Sequence, residues 1–380
     1  MTRVAYFAHN IEDAAIRRRA ATLQAIGCEV TTYSMRRGDP VDTPWANVDL
    51  GRTHDGQFAQ RLVAAAAAFP KLMAHRRALQ SADLWIARNL DMAALAAGVR
   101  AATGAQAPLL YECLDIHRFM TRKDALGAAM RALENGVLSA SAGVVVSSSG
   151  FVENYFAPQF GAASKMVLIE NRLAYGLSLP PRPQMLAPRP DRPLTIGWFG
   201  NLRCRRSLAL MRAISRLPNV RVVLRGYAAL TEIPDFEAQV AAEPGMAFGG
   251  RYPYPDGLAE IYGAVDLVWA GDFHDADANS AWLLPNRLYE GGFFGVPPIA
   301  PAGSQTGRWL AAHDLGFTLD EPLEQTLPAF IASMTTERLQ DARRALLDAP
   351  QALFLQSRDE AASLVKRFTR RAVEPALQAA

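Results

Sequence analysis

Several features are scarce or missing in this 380-residue sequence, and each absence removes a class of protein from consideration. The three cysteines, Cys28, Cys113 and Cys204, lie far apart without the spacing of a metal-binding motif, which fits a reducing compartment. No apolar run reaches the roughly 18 residues that a membrane-spanning helix needs. The N-terminal residues do not resemble a signal peptide. We therefore expect a cytoplasmic protein.

Two nucleotide-binding motifs are also missing. No GxGxxG follows the first predicted strand of either half of the chain, and GxxxxGK followed by Ser or Thr does not occur anywhere. The sequence thus lacks the most specific signals of a dehydrogenase and of a P-loop nucleotide hydrolase. The net charge of +3 is too small to indicate nucleic-acid binding by itself, and we expect no nucleic-acid partner.

The composition is that of a soluble globular protein. Hydrophobic residues make up 50% of the chain and charged residues 20%, which excludes a disordered, collagenous or disulfide-rich protein. Because 380 residues are more than one hydrophobic core usually holds, we expect two domains. Six prolines within 174–193 disfavour helices and sheets there and predict an extended connector. The predicted domains are therefore 1–173 and 194–380, with the last helix able to pack back on the first domain.

Apolar segments of strand length alternate with helix-like segments in both halves. The predicted strands are 4–8, 29–33, 83–87, 108–113, 143–147 and 166–169, and, after the connector, 194–199, 220–225, 265–270 and 296–300. The predicted helices are 14–26, 57–80 with a break or kink near Pro70, 91–102, 125–139, 207–215, 258–262 and 286–294. Continuous apolar strands separated by helices indicate parallel sheets that are buried on both faces. We therefore predict an α/β protein of two doubly wound, Rossmann-like domains.

The loop after the first strand of the second half has residues suited to a phosphate group. Ligands of such sheets bind at the carboxyl ends of strands, where a loop meets a helix N-terminus. Gly200 and Asn201 lie in this loop, where a glycine lets a phosphate approach the backbone. Arg203, followed by Arg205 and Arg206, can neutralise the phosphate charge. The alternative is a tight turn followed by a solvated basic patch.

The segment LLPNRLYEGGFFGVPPIA at 283–300 holds a second group of candidate residues. Pro285 favours the start of a helix, which places Asn286 and Arg287 in its first turn, facing the strand ends. Glu290 lies three residues after Arg287, on nearly the same side of that helix. A cation for a diphosphate and a carboxylate for a ribose diol together suit a nucleoside diphosphate. The alternative is an exposed Arg–Glu pair on a surface helix.

In the first half, the segment YECLDIH brings Glu112, Asp115 and His117 to the end of a buried strand. A carboxylate or imidazole in this place can act as a general base toward an acceptor hydroxyl. The alternative is that Asp115 caps the loop and His117 packs between the domains. His9 and Asn10 follow the first strand, and we expect them to line the same region.

These segments resemble glycosyltransferases of the GT-B fold. In the second half, IGWFGNLR, VVLRG, a Tyr-Pro segment before LAEIYGAVDLVW, and PNRLYEGGFFGVPPIA are similar, in this order, to the donor domain of the GT4-like group. In the first half, DAAIRRRAATLQAIGCEV, ARNLDMAALA and YECLDIHR look like exopolysaccharide glycosyltransferases of the succinoglycan-assembly type. The resemblance covers nearly the whole chain and implies two Rossmann-like domains that face each other across a cleft.

The resemblance also implies roles for individual residues of the donor domain. The matching positions are Gly200, Asn201, Arg203 and Arg287 for the phosphates, with Asn286 beside them, Arg225 and Gly226 at the end of the neighbouring strand, Tyr252 and Tyr254 in the nucleobase segment 251–254, and Glu290 for the ribose.

One position departs from the family pattern. Many retaining GT4 enzymes carry a second glutamate eight residues before the ribose-binding one, and here that position is Trp282. Sugar contacts could come instead from Asp275, Asp277 or Asn279. The missing carboxylate puts a retaining mechanism in doubt.

We also expect neither a metal nor a cofactor. Asp275 and Asp277 match the Asp-x-Asp pattern of a metal-binding pair, but the surrounding sequence is not that of a metal-dependent transferase. Arg203 and Arg287 are expected to stabilise the departing diphosphate in place of a metal.

The predicted function is transfer of a sugar from a nucleotide-diphosphate donor, expected to be a UDP-sugar, to a polyprenyl-diphosphate-linked oligosaccharide in bacterial exopolysaccharide assembly. We predict inversion of configuration with Asp115 as the base, and His117 or Glu112 in reserve. Two alternatives are a nucleotide-sugar 2-epimerase on the same scaffold and a nucleotide-binding module without catalysis.

Clustered arginines in the first half suggest how the acceptor binds. Asp13 is the predicted N-cap of the first helix, and three consecutive arginines at 17–19 follow it. Because three consecutive helical residues span about 200°, one of these arginines must point inward. Arg17 and Arg18 are the candidates for contact with a phosphate-bearing acceptor.

Further basic pairs suggest attachment to a membrane. The pairs at 76–77 and 122–123 could hold the domain against an anionic bilayer, with each charge near the surface contributing about 1 kcal/mol. We therefore expect a peripheral protein on the inner face of the plasma membrane. The alternative is an ordinary solvated basic surface, most of all for the pair at 36–37.

Overall fold

The computed structural model describes residues 1–53, 58–161, 163–185, 192–275 and 278–371. Within them the chain forms two compact units. The first consists of Met1–Glu170, Ala174–Leu177 and the C-terminal segment from Gln356, and the second of Asn171–Leu173 and Ser178–Leu355. The expected connector at 174–193 is thus divided, because its beginning belongs to the first unit and its described remainder to the second.

The described residues of the first unit form a parallel sheet of seven strands. They are β1 (Arg3–Ala8), β2 (Glu29–Arg36), β3 (Ala46–Arg52), β4 (Leu84–Arg88), β5 (Leu109–Cys113), β6 (Gly143–Val146) and β7 (Met166–Leu168). Their order across the sheet is β3-β2-β1-β4-β5-β6-β7. Every residue of β4 and β5 is buried, as expected for central strands of a sheet covered on both faces.

Helices connect these strands. They are α1 (Ala14–Ala25), α2 (Phe58–Ala74), α3 (Arg76–Gln80), α4 (Leu90–Thr103), α5 (Ala125–Ala140), and α6 (Ser149–Phe151), which continues through a π-helical turn (Val152–Phe156) into α7 (Ala157–Phe160). A short 3₁₀ turn at Ala163–Lys165 precedes β7. The predicted helix 57–80 is therefore two helices, and its described part breaks at His75, not at Pro70. The N–H of His75 donates to Leu72 instead of continuing the α-helical pattern. Pro70 is exposed, so water can satisfy the carbonyl that it leaves unpaired.

The described residues of the second unit form a parallel sheet of six strands. They are β8 (Leu194–Leu202), β9 (Val220–Ala228), β10 (Met246–Phe248), β11 (Leu267–Trp269), β12 (Pro298–Pro301) and β13 (Phe317–Leu319). Their order is β10-β9-β8-β11-β12-β13. The helices are α8 (Arg205–Ser215), α9 (Phe236–Ala241), α10 (Leu258–Gly263), α11 (Asn279–Trp282), α12 (Asn286–Phe293), α13 (Gln305–His313), α14 (Leu323–Ala332) and α15 (Thr336–Asp348), followed by a 3₁₀ turn at Gln351–Leu353.

Three strands, β3, β10 and β13, were not predicted from the sequence, and all three lie at sheet edges. An edge strand has a neighbour on one side only and needs less apolar sequence. Strand β3 (ANVDLGR) mixes polar and apolar residues, and β10 and β13 have only three residues each. Their pairing with a neighbouring strand, and not their own composition, makes them strands.

The last described helix, α16 (Arg358–Arg371), belongs to the first unit. Its Leu364, Val365 and Phe368 are buried in the same hydrophobic core as Tyr6 of β1. None of the helices in the described ranges is both long and apolar enough to cross a bilayer.

Candidate functional site

Two arginines and one carboxylate come together at the carboxyl end of the second sheet. Arg203 directly follows β8, Gly271 and Asp272 lie just beyond β11, and Arg287 is in the first turn of α12. The Nη2 atom of Arg287 donates to the carbonyl oxygen of Gly271 over 2.8 Å. The Nη2 atom of Arg203 donates to Oδ2 of Asp272 over 3.3 Å. We call these four residues the cation cluster.

The cation cluster has a surplus of positive charge. Arg287 is 9% exposed, and burial lowers the pKa of its guanidinium, with the neighbouring charge of Arg203 acting in the same direction. The Nε atoms of both arginines are buried and have no hydrogen-bond partner among the described residues. Two guanidiniums face the one carboxylate of Asp272, and they retain buried donors that an acceptor could satisfy. Such a site favours an anion, and two forked guanidiniums suit a diphosphate.

Gly200 of β8 and Gly226 of β9 allow these two neighbouring strands to approach each other closely beside the cation cluster. β8 runs to Leu202, so Gly200 and Asn201 lie in the strand and not in a loop as the sequence suggested. Gly200 pairs with Gly226, which has φ +133°, and a Cβ on Gly226 would lie 2.0 Å from the carbonyl oxygen of Gly200. Only glycine can occupy that position without displacing the backbone. Asn201 is exposed at the end of the strand.

Glu290 is buried in α12, three residues after Arg287. It is 4% exposed, and its Oε2 accepts a hydrogen bond of 2.9 Å from the hydroxyl of Tyr262. Burial and the Glu290 carboxylate together raise the pKa of Tyr262 well above its ordinary value. Because both Arg287 and Glu290 are buried, they do not form the exposed surface pair that the sequence left open. Asn286, next to Arg287, is half-buried.

The other predicted donor residues lie around the ends of β9 and β10. The Nε atom of Arg225 donates to the carbonyl oxygen of Gly250 over 3.3 Å, and Nη1 lies 3.6 Å from Oε1 of Glu260. Arg225 is thus engaged with the segment after β10. Tyr252 and Tyr254 in that segment are half-buried, and Pro253 between them is exposed.

Some expected residues have other partners, and one important residue was missed. Arg206 pairs with Glu321 and Glu324, so it is a surface ion-pair residue and is not part of the cation cluster. Arg205 is exposed. Asp272 was not predicted, although its position just after the predicted strand 265–270 is the signal that could have found it.

The alternative sugar contacts are only partly described. Asp277 lies outside the described residues. The backbone N–H of Asp275 donates to Oγ of Ser280 over 3.0 Å, Asn279 is buried at the start of α11, and Trp282 ends that helix half-buried. Within the described ranges, no group of three or more His, Cys, Asp or Glu residues has the arrangement of a metal site.

In the first unit, Glu112 is the centre of a buried ion-pair network. It is 1% exposed and accepts from Arg19 Nε at 2.8 Å, Tyr6 Oη at 2.8 Å and Arg88 Nη1 at 3.3 Å. Burial alone would raise its pKa, but Arg19 and Arg88 hold the pKa of this carboxyl below its ordinary value. A buried carboxylate with three donors is poorly suited to remove a proton from a substrate. The reserve assignment of Glu112 as a base was therefore wrong.

Asp115 and His117 lie in the exposed loop that follows β5. The Nδ1 atom of His117 accepts from the backbone N–H of Phe119 over 3.3 Å, and the two rings are 4.8 Å apart. Both side chains are accessible to a substrate from solvent. Sequence and structure agree on their place at the end of a buried strand.

His9 and Asn10 follow strand β1, which is separated from β5 by β4 in the sheet. The Nδ1 atom of His9 is 3.2 Å from Nδ2 of Asn89, which lies directly after β4, and Nε2 of His9 is 3.9 Å from Oδ2 of Asp13. Asp13 caps α1 by accepting from Ala15 and Ile16 N–H groups, as predicted. Asn89 was not predicted to be a site residue. Its backbone has a positive φ of 69°, which no local sequence pattern indicated.

The three arginines at 17–19 do not all have the same role. Arg19 points inward, as one of the three had to, but its partner is Glu112. Arg17 and Arg18 are half-buried and remain the candidates for acceptor contact.

Comparison with known proteins identifies the family and the fold of this chain. No protein-family model matches the chain. The chain is 40% identical over 379 residues to the succinoglycan biosynthesis protein ExoL of Rhizobium meliloti (strain 1021), covering 97% of this chain and 93% of ExoL.

Two solved structures are similar in fold. Anabaena Alr3699/HepE in complex with UDP has a TM-score of 0.69 at 13% identity, covering 97% of this chain and 100% of HepE. WaaG, a glycosyltransferase involved in lipopolysaccharide biosynthesis, has a TM-score of 0.66 at 14% identity, covering 95% of this chain and 99% of WaaG. The predicted fold class is confirmed. The chain belongs to the family of the succinoglycan biosynthesis protein ExoL, and its fold is that of the GT-B glycosyltransferases.

Proposed function

We propose that this protein transfers a sugar from a UDP-sugar to a polyprenyl-diphosphate-linked oligosaccharide in exopolysaccharide assembly. The observation that carries the proposal is the cation cluster at the carboxyl end of the sheet. There, the Nε donors of Arg203 and Arg287 are buried and have no partner among the described residues. Membership of the ExoL family supports the pathway, and the UDP complex of HepE, a structural neighbour, supports the nucleotide.

The cation cluster suits the departure of a nucleoside diphosphate. When the bond between the sugar and the β-phosphate breaks, negative charge develops on the phosphate oxygen. Arg203 and Arg287 are already fixed by Asp272 and Gly271, so they stabilise this charge without rearrangement. In this proposal the reaction uses neither a metal nor a cofactor.

The remaining parts of the donor have candidate partners nearby. Tyr262 orients the carboxylate of Glu290, which is positioned to accept hydrogen bonds from ribose hydroxyls. The half-buried Tyr252 and Tyr254 lie in the segment 251–254, which is proposed to hold the nucleobase. Gly200, Asn201, Arg225, Gly226 and Asn286 complete the proposed donor site.

The acceptor is proposed to bind the first unit. Asp115 removes the proton from the acceptor hydroxyl as its oxygen attacks the anomeric carbon and the bond to the diphosphate breaks. This direct displacement inverts the configuration, and His117 is the reserve base. His9, Asn10, Arg17 and Arg18 are proposed to hold the acceptor, the arginines through its phosphates. The protein is proposed to act at the cytoplasmic face of an anionic membrane.

An assay with purified protein tests the proposal. The protein is incubated with a panel of UDP-sugars, with and without a polyprenyl-diphosphate oligosaccharide, and the products are identified by mass spectrometry and NMR. We expect sugar transfer only when donor and acceptor are both present. An epimerised UDP-sugar formed without acceptor would establish the 2-epimerase alternative, and tight UDP binding without any turnover would establish the non-catalytic module. A thermal-shift screen of nucleotide sugars first identifies the donor, because a bound ligand stabilises the folded state.

A further inference from the structure

A polar cleft lies in the second unit, at the end of the sheet opposite to the cation cluster. Leu194 begins β8 and Asp266 directly precedes β11, so the cleft is at the amino ends of these strands, whereas Arg203 and Asp272 follow their carboxyl ends. The cleft has a volume of about 140 Å³. Its polar lining consists of Arg192, Asn219, Asp266, Thr335, Thr336 and Gln340.

Two arginines share one carboxylate at the base of this cleft. Arg192 Nη2 and Arg343 Nη2 each donate to Oδ1 of Asp266 over 2.7 Å. The other carboxylate oxygen of Asp266 accepts from the backbone N–H of Thr195 over 2.9 Å. Asp266 and Arg343 are both 4% exposed, so solvent screens these charges weakly. Among the described residues that line the cleft, Asp266 is the only acid, and two guanidiniums share its carboxylate.

Arg192 has a hydrogen-bond donor that its described neighbours do not satisfy. Its Nη1 donates to Oγ1 of Thr195 over 2.8 Å, but its Nε is buried and has no partner among the described residues. A buried N–H without an acceptor is unfavourable. An oxyanion in the cleft can accept from this N–H.

The amino end of α15 opens on the same cleft. Thr335 is the N-cap of this 13-residue helix, and Thr336 is its first residue. The first N–H groups of a helix have no acceptor within the helix, and the helix dipole places partial positive charge there. The Thr335 hydroxyl accepts from the N–H of Arg338 over 3.2 Å, which leaves the N–H groups before it for a ligand. Glu337 of this turn is exposed and does not line the cleft.

We propose that this cleft binds a small oxyanion, namely a phosphate group as the free ion or as a monoester. Positive charge, an unsatisfied guanidinium N–H, a helix N-terminus and threonine hydroxyls converge on a space large enough for such a group. The site is separate from the proposed donor site, so it does not depend on the proposed function.

A titration with inorganic phosphate tests this site in the full-length protein. Saturating UDP is present to fill the proposed donor site, and binding is followed by isothermal titration calorimetry and by ³¹P line broadening. We expect one saturable site with a dissociation constant on the order of 1 mM. No saturable binding, or binding that UDP abolishes, would overturn the proposal.

Two variants and a matched control locate the binding. Thr336→Glu places a carboxylate at the cleft, and glutamate is favourable in the first turn of a helix, so the protein should fold while phosphate affinity falls at least about tenfold. Arg192→Gln should also weaken binding. Gln325→Glu adds the same charge to an exposed first-turn position of α14 and should leave affinity unchanged. Wild-type affinity in folded Thr336→Glu would contradict the assignment.

A parallel titration with glycerol 3-phosphate distinguishes the two forms of the ligand. Tighter binding than inorganic phosphate assigns the cleft to a monoester, and weaker binding assigns it to the free ion. In either case, Thr336→Glu should remove the binding of glycerol 3-phosphate as well as that of inorganic phosphate.

Discussion

The guanidinium of Arg203 donates from Nη2 to Oδ2 of Asp272 across 3.3 Å, so this carboxylate occupies one of the two cations of the proposed donor site. A diphosphate that binds Arg203 shares this guanidinium with Asp272 and approaches the negative charge of the carboxylate. Asp272 therefore orients the arginine and at the same time opposes the ligand.

Replacing Asp272 by asparagine should tighten UDP binding. The variant keeps a side-chain oxygen near Arg203 but removes the negative charge. Because partly exposed ion pairs contribute up to about 1 kcal/mol, we expect affinity to rise by up to about fivefold, and less at high salt. Calorimetry with UDP measures this effect, and Asp320→Asn, at an exposed position of the same unit, is the control. Weaker UDP binding in Asp272→Asn would show that orientation of Arg203 matters more than repulsion.

Arg287→Met should weaken UDP binding without lowering the free energy of unfolding. The methionine fills similar space without a buried charge. The free energy of unfolding should therefore stay constant or rise, because the guanidinium is desolvated and its Nε has no partner among the described residues. UDP affinity should fall by about 10- to 100-fold, as expected for loss of a charge-assisted hydrogen bond. Urea unfolding and calorimetry measure the two quantities.

Glu290→Ala provides the comparison for Arg287. It should weaken UDP binding less, because the glutamate is proposed to contact neutral hydroxyls while the arginine contacts a charged diphosphate. Unchanged UDP affinity in both variants would remove the basis for placing the nucleotide at α12.

Asp115→Asn tests the catalytic base. The amide keeps the size and hydrogen bonding of the side chain but cannot take a proton, so turnover should fall by roughly 10²- to 10⁴-fold with donor affinity nearly constant. Asp42→Asn, at an exposed position of the same unit, should have no effect. The anomeric configuration of the product is determined by NMR. A retained configuration excludes Asp115 as an inverting base, and full activity of the variant would move the role to His117.

Glu134 should make the stability of the first unit depend on pH. Burial raises the pKa of its carboxyl to about 7, although hydrogen bonds from Tyr155 and Tyr111 oppose this increase. Because the folded-state pKa lies above the unfolded value, the proton stabilises the fold below the unfolded pKa, and this contribution is lost as pH rises through 7. The loss is on the order of 3 kcal/mol at most. Glu134→Gln should lack this part of the pH dependence in urea unfolding between about pH 5 and pH 8.

The basic pairs of the first unit should attach the protein to acidic lipid. Arg76, Arg77 and Lys123 are exposed, and Arg122 pairs with the exposed Asp124. Co-sedimentation with liposomes should increase with anionic lipid content and decrease with salt, and charge reversal at 76–77 or 122–123 should reduce it. Arg344→Glu, on an exposed position of the second unit, is the matched control. Binding that depends neither on lipid charge nor on salt concentration would contradict this mode of attachment.

The sequence by itself determined the alternation of strands and helices, because burial on both faces of a parallel sheet requires continuous apolar segments that can be read locally. It also determined the local order around α12, where Pro285 starts the helix and places Arg287 and Glu290. These features depend on residues a few positions apart. The edge strands β3 and β10 escaped prediction because their neighbours, and not their composition, make them strands.

Only the tertiary structure decided which charged groups meet. Arg19 and Glu112 are 93 residues apart in sequence, and Arg203 and Asp272 are 69 apart, yet each pair is joined by a hydrogen bond. Glu112 looked like a base at a strand end, but two arginines make it a buried structural anion. Strand order places these residues together, and strand order follows from the packing of the whole sheet, so no local pattern could reveal the partners.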